Sequence, residues 1–281
     1  MASNGIKNRM SYWQGKVAVV TGGSGGLGRA IAEAFAAAGA RVVVAARGAE
    51  ALERIAEQLS QSGREVAPIA ADLTRQEDVE RLFASTIDRF GRLDVLVNNA
   101  GRSMRRAVLD TTAEDFQQLM ELNLIGLVRC TRAAAPHLLA QRGHVVNIGS
   151  LAGKSAARWI GAYPATKFAV SAYSQQLRLE LGPQGLHVLL VCPGPIARDE
   201  PRDDNSREAR GDAEAGLPDS ALKPGAGVRT KAVRPEKLAA AILKACERRQ
   251  SELIVPSAAR LLFALMQLSP HLADWIVRKT T

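Results

Sequence analysis

Cysteine is scarce in this chain: three of 281 residues, Cys130, Cys192 and Cys246, far apart and odd in number. That count excludes a disulfide framework, offers no metal-type cluster and points to a reducing, cytoplasmic setting; no metal site is expected. Aromatic residues are also few, at 4%. Long apolar runs are missing, and no stretch reaches the roughly 18 uncharged residues that a membrane span requires. The opening "MASNGIKNRMSYWQ" is polar and lacks the apolar middle of a secretory signal, and residues 1–14 are expected to be flexible. Blocks of like charge are absent as well. The net charge is +9, yet 37 basic residues interleave with 28 acidic ones. A solvated basic surface is expected, and no nucleic-acid partner.

What is present is alternation. Six short, nearly continuous apolar runs, "KVAVVT" (16–21), "RVVVAA" (41–46), "EVAPIAA" (65–71), "LDVLVN" (93–98), "HVVNIG" (144–149) and "HVLLVC" (187–192), read as parallel strands covered on both faces. Between them, segments with apolar residues every three or four positions end in glycine, the usual helix stop. Strand–helix alternation predicts an α/β, doubly wound parallel sheet with helices on both faces. "ELIVP" (252–256) adds a seventh strand, after a helix over 234–249 that Pro235 opens. Residues 257–281 form a C-terminal apolar helical extension in two pieces broken at Pro270, leaving 15–256 as the main domain. The stretch 198–232, rich in Arg, Asp, Glu, Gly and Pro, is expected to be a mobile lid over the substrate. The long run 113–140 is expected to be one helix.

The first strand runs straight into "TGGSGGLG" (21–28) and then a helix. Glycines there let the backbone turn tightly and approach a pyrophosphate, while the helix N-terminus offers free N–H groups. Strand before and helix after make this a dinucleotide site in a Rossmann-like domain. The end of the second strand carries Ala46 and Arg47 where an NAD site wants a carboxylate. Arg47 has two readings, a partner for the 2′-phosphate of NADP(H) or a solvated loop residue, and NADP(H) over NAD(H) is the expectation drawn.

With these residues in hand, the chain resembles the short-chain dehydrogenase/reductase family over about 15–197, and loosely over 234–256. The family's T-G-x-x-x-G-x-G loop falls on Thr21, Gly22, Gly26 and Gly28, with Ser24 and Leu27 between them. Its Asp-Leu after the third strand matches Asp72 and Leu73, and its N-N-A-G is Asn98, Asn99, Ala100 and Gly101. The catalytic Asn, Ser, Tyr and Lys match Asn123, Ser150, Tyr163 and Lys167; the Pro-Gly segment after strand six matches Pro193, Gly194 and Ile196. Arg198 stands where the family usually has threonine. The resemblance implies an oxidoreductase in which Tyr163 and Lys167 also touch coenzyme, Asn123 holds a relay water, and the subunits form a homodimer or homotetramer.

Tyr163 and Lys167, four apart, share one helix face, and Pro164 belongs in that helix's first turn. A free phenol titrates near 10, and lowering it by three units takes about 4 kcal/mol. One ammonium ~4 Å away at an effective dielectric of about 20 supplies that order of energy, so Lys167 is expected to tune Tyr163 toward neutrality, against an opposing desolvation. In reduction, nicotinamide C4 delivers hydride to a carbonyl carbon while Tyr163 protonates the oxygen and Ser150 hydrogen-bonds it.

The expected activity is that of a carbonyl reductase or alcohol dehydrogenase acting on a small molecule, lipophilic or not. The alternatives are an acyl-chain 3-oxoacyl reductase and a dinucleotide-sensing module without turnover. Arg105 and Arg106 either meet an acidic substrate or are solvated; His137, His144, His187 and His271 carry no assigned role. For the tail, three jobs stand in order: covering the substrate cleft or core, subunit contact, and lying on a membrane surface.

Overall fold

Seven β-branched runs become seven strands: β1 (Val17–Thr21), β2 (Arg41–Ala46), β3 (Val66–Ala70), β4 (Val95–Asn98), β5 (His144–Ile148), β6 (His187–Pro193) and β7 (Glu252–Val255). The structure is a computed structural model and describes residues 11–61, 63–197, 217–222 and 231–280. All strand pairs are parallel, in the order β3-β2-β1-β4-β5-β6-β7. The chain winds outward from β1 in one direction, then returns to β4 and winds in the other. The C-terminal ends of β1 and β4 therefore border the crevice where such sheets take ligands.

The period of two divides each strand between two cores. Ala18 and Val20 of β1 face a cluster that contains α1 (Gly26–Ala37), α2 (Ala49–Ser60) and α7 (Pro235–Glu247). Val17 and Val19 face the other, with α3 (Gln76–Phe90), α5 (Gly126–Ala140) and α6 (Tyr163–Leu181). Each buried Val or Leu contributes about 1.5–3 kcal/mol, so helices on both faces are what hold these strands in place. A polar network crosses the second layer: Asn98 Nδ2 donates to Thr131 Oγ1 and Asn147 Oδ1, and Asn147 Nδ2 to Ser174 Oγ. It ties β4 and β5 to α5 and α6.

The expected single helix over 113–140 is interrupted. α4 (Ala113–Met120) starts at a capping box, in which Thr112 accepts from Asp115 N and Asp115 accepts from Thr112 N. A π-helical turn, Glu121–Ile125, then leads into α5. The widened turn holds Asn123, a position where such turns commonly serve a site.

The flexible opening expected for 1–14 also ends sooner. Residues 1–10 lie outside the described residues, but Trp13 is fully buried: its indole stands perpendicular to the Phe35 ring and its Nε1 donates to Glu247 Oε1 at 2.7 Å. Lys16 Nζ lies 3.6 Å from the centroid of the neighbouring Tyr12 ring. Aromatic burial and a polar tip on α7 fix the stretch, and neither partner is near in sequence. The lid expected over 198–232 lies largely outside the described residues; within it a single helical turn, Asp219–Leu222, buries Ala221. The C-terminal pieces are α8 (Ala259–Met266) and α9 (Pro270–Thr280).

Two histidines with no role assigned from sequence meet beneath the sheet. His144 and His187 are in register at the starts of β5 and β6, with Nδ1 atoms 2.8 Å apart. The Gln250 carbonyl accepts from His187 Nε2 (2.8 Å), which makes His187 Nδ1 the acceptor of the proton on His144 Nδ1. His144 Nε2 then accepts from the Tyr12 hydroxyl at 2.9 Å. Cys246 completes a group whose possible ligand atoms lie within 4.8 Å of one another, a closeness that sequence spacing did not suggest. Every ring nitrogen is engaged by this one-way chain, and it holds with both rings neutral. Burial pushes the His144 pKa down to about 3, helped by His187 and Lys16, and lowers that of His187 as well.

Both histidines bind protons more weakly folded than unfolded, so acid favours the unfolded chain. Stability contributed by the pair is fully present above about pH 6.5 and falls as pH drops toward 3, with a slope for His144 approaching about 1.4 kcal/mol per pH unit. Denaturant midpoints at pH 7, 6 and 5 should decline in that order, and His144→Gln should flatten the decline.

Candidate active site

The glycine loop connects β1 to α1 along the crevice. Thr21 Oγ1 donates to Val97 O (3.1 Å) and accepts from Asn99 N (3.0 Å) and Ala100 N (3.1 Å), tying the ends of β1 and β4 together. Asn99 Nδ2 donates to Thr21 O and Gly22 O, so this side chain holds the loop and is not turned outward to a ligand. At Gly28 a Cβ would lie 2.1 Å from Gly22 O, a contact only glycine permits. Gly25 and Gly26 are the opposite case: a Cβ on either would meet nothing within 4 Å. Helix α1 begins with no side-chain cap and no acidic residue in its first turn, so its N–H groups and positive end face that open space. The loop fits a pyrophosphate. Ser24 is half-buried on the same turn, whereas Leu27 points into the core and has only backbone to offer.

At the outer end of the crevice, Arg47 follows β2, exposed. Asp72 Oδ1 accepts from Thr74 N and Thr74 Oγ1, and these bonds, with Arg47 adding a smaller attraction, hold its carboxyl below the usual range. Leu73 is buried against Gly126 and packs the loop in place. Beyond β6, Gly194 N donates to Val255 O and Ala197 N to Val233 O, pinning Pro193, Gly194 and Ile196 at the C-terminal end of that strand. Arg198 lies outside the described residues.

On the β5 side, Ser150 caps a 3-10 turn, Leu151–Gly153, accepting from Ala152 N at 3.1 Å. The chain returns as a strained segment, with Trp159 at φ 64° and Gly161 at φ 50°, to enter α6 at Tyr163, with Pro164 in the first turn. The Ser150 hydroxyl lies near enough to the Tyr163 phenol to favour its ionised form. One turn on, Lys167 is 6% exposed, its Nζ donating to Ile148 O at 2.8 Å and lying 5.7 Å from the Tyr163 ring centroid. Asn123 is buried with both amide protons engaged: Oδ1 accepts from Arg102 N (2.9 Å), and Nδ2 donates to Arg102 O (2.9 Å) and Thr166 Oγ1 (3.0 Å). The four residues Asn123, Ser150, Tyr163 and Lys167 thus come together beside Gly101, whose added Cβ would stand 2.9 Å from Asn123 Oδ1 and 3.9 Å from Lys167 Nζ.

The electrostatics reverse one expectation. Burial raises the Tyr163 pKa, and the Ser150 hydroxyl and the Arg105 guanidinium only partly offset it. Burial also brings Lys167 down to about 8. Desolvation wins because both groups leave water together, a cost that a pairwise Coulomb argument at ~4 Å treats only as an opposing correction. Without coenzyme the phenol is protonated.

A family model described as short chain dehydrogenase matches residues 16–209. The chain belongs to the short-chain dehydrogenase family. L-fucose dehydrogenase of Oryctolagus cuniculus is 42% identical over 185 residues, 66% of this chain and 64% of that protein's length. The uncharacterized oxidoreductase YxnA of Bacillus subtilis (strain 168) is 32% identical over 277 residues, 97% of this chain and 74% of its own. Among solved structures, a short chain dehydrogenase/reductase from Burkholderia phymatum in complex with NAD superposes with a TM-score of 0.77 at 25% identity, covering 92% of this chain and 95% of the other. An alcohol dehydrogenase from Thermococcus sibiricus, complexed with 5-hydroxy-NADP, gives 0.71 at 28% identity over 85% and 95%.

Within this oxidoreductase family frame, sequence reasoning passed over Thr166 and undervalued Arg105. Thr166 is the buried partner of Asn123, three residues past Tyr163 on α6. Arg105 precedes Arg106, whose backbone bridges Ile160 and whose side chain pairs with Asp115, so the loop after β4 lies against the entry to α6. The signal available was its position four residues past the N-N-A-G.

Two alanine substitutions separate fold from ligand. Gly28→Ala should lower the thermal midpoint, with a cost of about 1–3 kcal/mol from the forced contact. Gly25→Ala should leave the midpoint unchanged but weaken dinucleotide binding, read by fluorescence titration, because its Cβ enters the space proposed for phosphate.

Proposed function

We propose that the chain transfers hydride between a nicotinamide dinucleotide, NADP(H) in preference to NAD(H), and a ketone or secondary alcohol, with Tyr163 as general acid and base. The observation that carries this reading is a half-buried phenol beside the Ser150 hydroxyl, with a buried ammonium one helical turn away, at the C-terminal end of the sheet where the glycine loop opens. The dinucleotide, when bound, supplies or takes up the hydride. In the reducing direction Tyr163 gives its proton to the carbonyl oxygen; the raised pKa means that this acid is loaded before substrate arrives. Ser150 Oγ donates to the same oxygen as charge develops on it. Lys167, protonated at neutral pH, stabilises the phenolate left behind and offers protons to ribose hydroxyls. Both amide protons of Asn123 are engaged and its oxygen accepts from Arg102 N, which fixes the residue that would hold a water of the proton relay.

The preference for NADP(H) rests on Ala46, which neither accepts from a ribose nor repels a phosphate, and on Arg47, which can pair with a 2′-phosphate. Exposed Phe116, Ile125, Phe168 and Leu179 on the α4–α6 surface support a homodimer or homotetramer through these helices. Free, buried cysteines fit a reducing, cytoplasmic location.

Tyr163→Phe should cut turnover about 100-fold or more, followed at the nicotinamide absorbance over a panel of ketones, with coenzyme affinity nearly unchanged. Retained turnover would place the acid elsewhere. Arg47→Ala should weaken NADP(H) binding roughly tenfold and spare NAD(H), and Ala46→Asp should turn selection toward NAD(H). Equal affinity of the unmodified protein for the two coenzymes would remove the preference.

A further inference from the structure

The tail does not do what its apolar content first suggests. Among the described residues of α8 and α9 only Met266 is buried, and Phe263 packs partly against the small core cluster of Leu127, Val170 and Ile254. Six large apolar side chains stay in solvent: Leu261 (69% exposed), Leu262, Leu265, Leu268 (76%), Leu272 and Trp275 (55%). A surface this apolar is an interaction site or a liability. Its charged residues have mostly one sign. Arg260, Arg278 and Lys279 stand against a single acid, Asp274, and the whole chain carries +9. Lys279 Nζ lies 4.4 Å from the Trp275 ring centroid, so a cation and the amphipathic indole share one spot.

We propose that this face of α8 and α9 docks on an anionic lipid bilayer, lying in the headgroup region. Leucines would enter the acyl boundary, Trp275 would sit at headgroup depth, and the three cations would meet lipid phosphates. No helix among the described residues is long and apolar enough to cross a membrane, so the contact is peripheral. A second copy of the chain is a poorer occupant. A two-fold contact would oppose the patch to itself and bring its cations face to face. The place in the fold gives the contact a use. Because α8 follows β7, the patch begins at the C-terminal end of the sheet, the end that carries the candidate site. A cavity of about 540 Å³ separates α8 and α9 from residues 154–158, in the segment that joins Ser150 to Tyr163. The proposal stands apart from the catalytic reading and survives its failure.

Flotation of the full-length protein with vesicles of phosphatidylcholine alone, and of phosphatidylcholine with phosphatidylserine, tests it. Expected is at least about tenfold greater recovery with the anionic vesicles, reduced by high salt. Leu261→Gln, Leu268→Gln and Trp275→Gln together should abolish recovery while circular dichroism is unchanged, since all three side chains are exposed. Arg278→Gln with Lys279→Gln should reduce it with the apolar face intact. No recovery with either vesicle, equal recovery with both, or unaltered recovery of the triple variant would each overturn the proposal. So would a native dimer that the triple variant converts to monomer by light scattering, which would assign the face to a second copy.

Discussion

The Lys167 ammonium is held almost out of water, and the surrounding site is arranged around that cost. One proton goes to the Ile148 carbonyl at the end of β5, so the sheet itself accepts the charge. The 3-10 turn after Ser150 presses against the same helix: a Cβ at Gly153 would stand 2.6 Å from Lys167 O. Close backbone approach there keeps solvent from the lysine and brings Ser150 to the tyrosine. The same burial that pulls the lysine's pKa down pushes the tyrosine's up. The free protein is thus biased toward an acid at Tyr163, and only added positive charge can bias it toward a base.

That arrangement depends on how β5 and α6 are fixed. The buried amides of Asn98 and Asn147, with Thr131 and Ser174, lock the sheet to α5 and α6 through directional bonds. Such a network tolerates little sliding, because each displaced member would leave a buried polar group unpaired. On the other side of α6, Thr166 reaches the Asn123 amide, so the π-helical turn and the tyrosine's helix move as one body.

Strand positions were legible because parallel strands covered on both faces are written as unbroken apolar runs, and all seven lie within a residue or two of those runs. The Tyr–Lys spacing and the Gly-rich turn were legible for a related reason: local geometry alone puts those groups on one face or in one loop. What escaped was non-local. Trp13 is buried against a glutamate 234 residues away, and nothing in its polar neighbourhood announces that. The His144–His187 contact had a faint signature, since "HVVNIG" and "HVLLVC" both open with histidine and adjacent strands start in register. The sign of the tyrosine's shift escaped because the charge–charge attraction can be written down from a spacing, whereas the desolvation that outweighs it depends on burial.

Thr21 carries a consequence for how the crevice behaves. One hydroxyl uses its single proton and both lone pairs, at 3.0–3.1 Å, to join the end of β1 to three backbone groups around the end of β4. Apolar contacts alone would let two strand ends slip past each other by small steps, since dispersion is nearly indifferent to direction. A saturated oxygen is not indifferent, and it sets the gap between the strands at one width. The cleft is therefore a gauge of fixed aperture before any ligand arrives, and a dinucleotide entering it spends none of its binding on prying the sheet open.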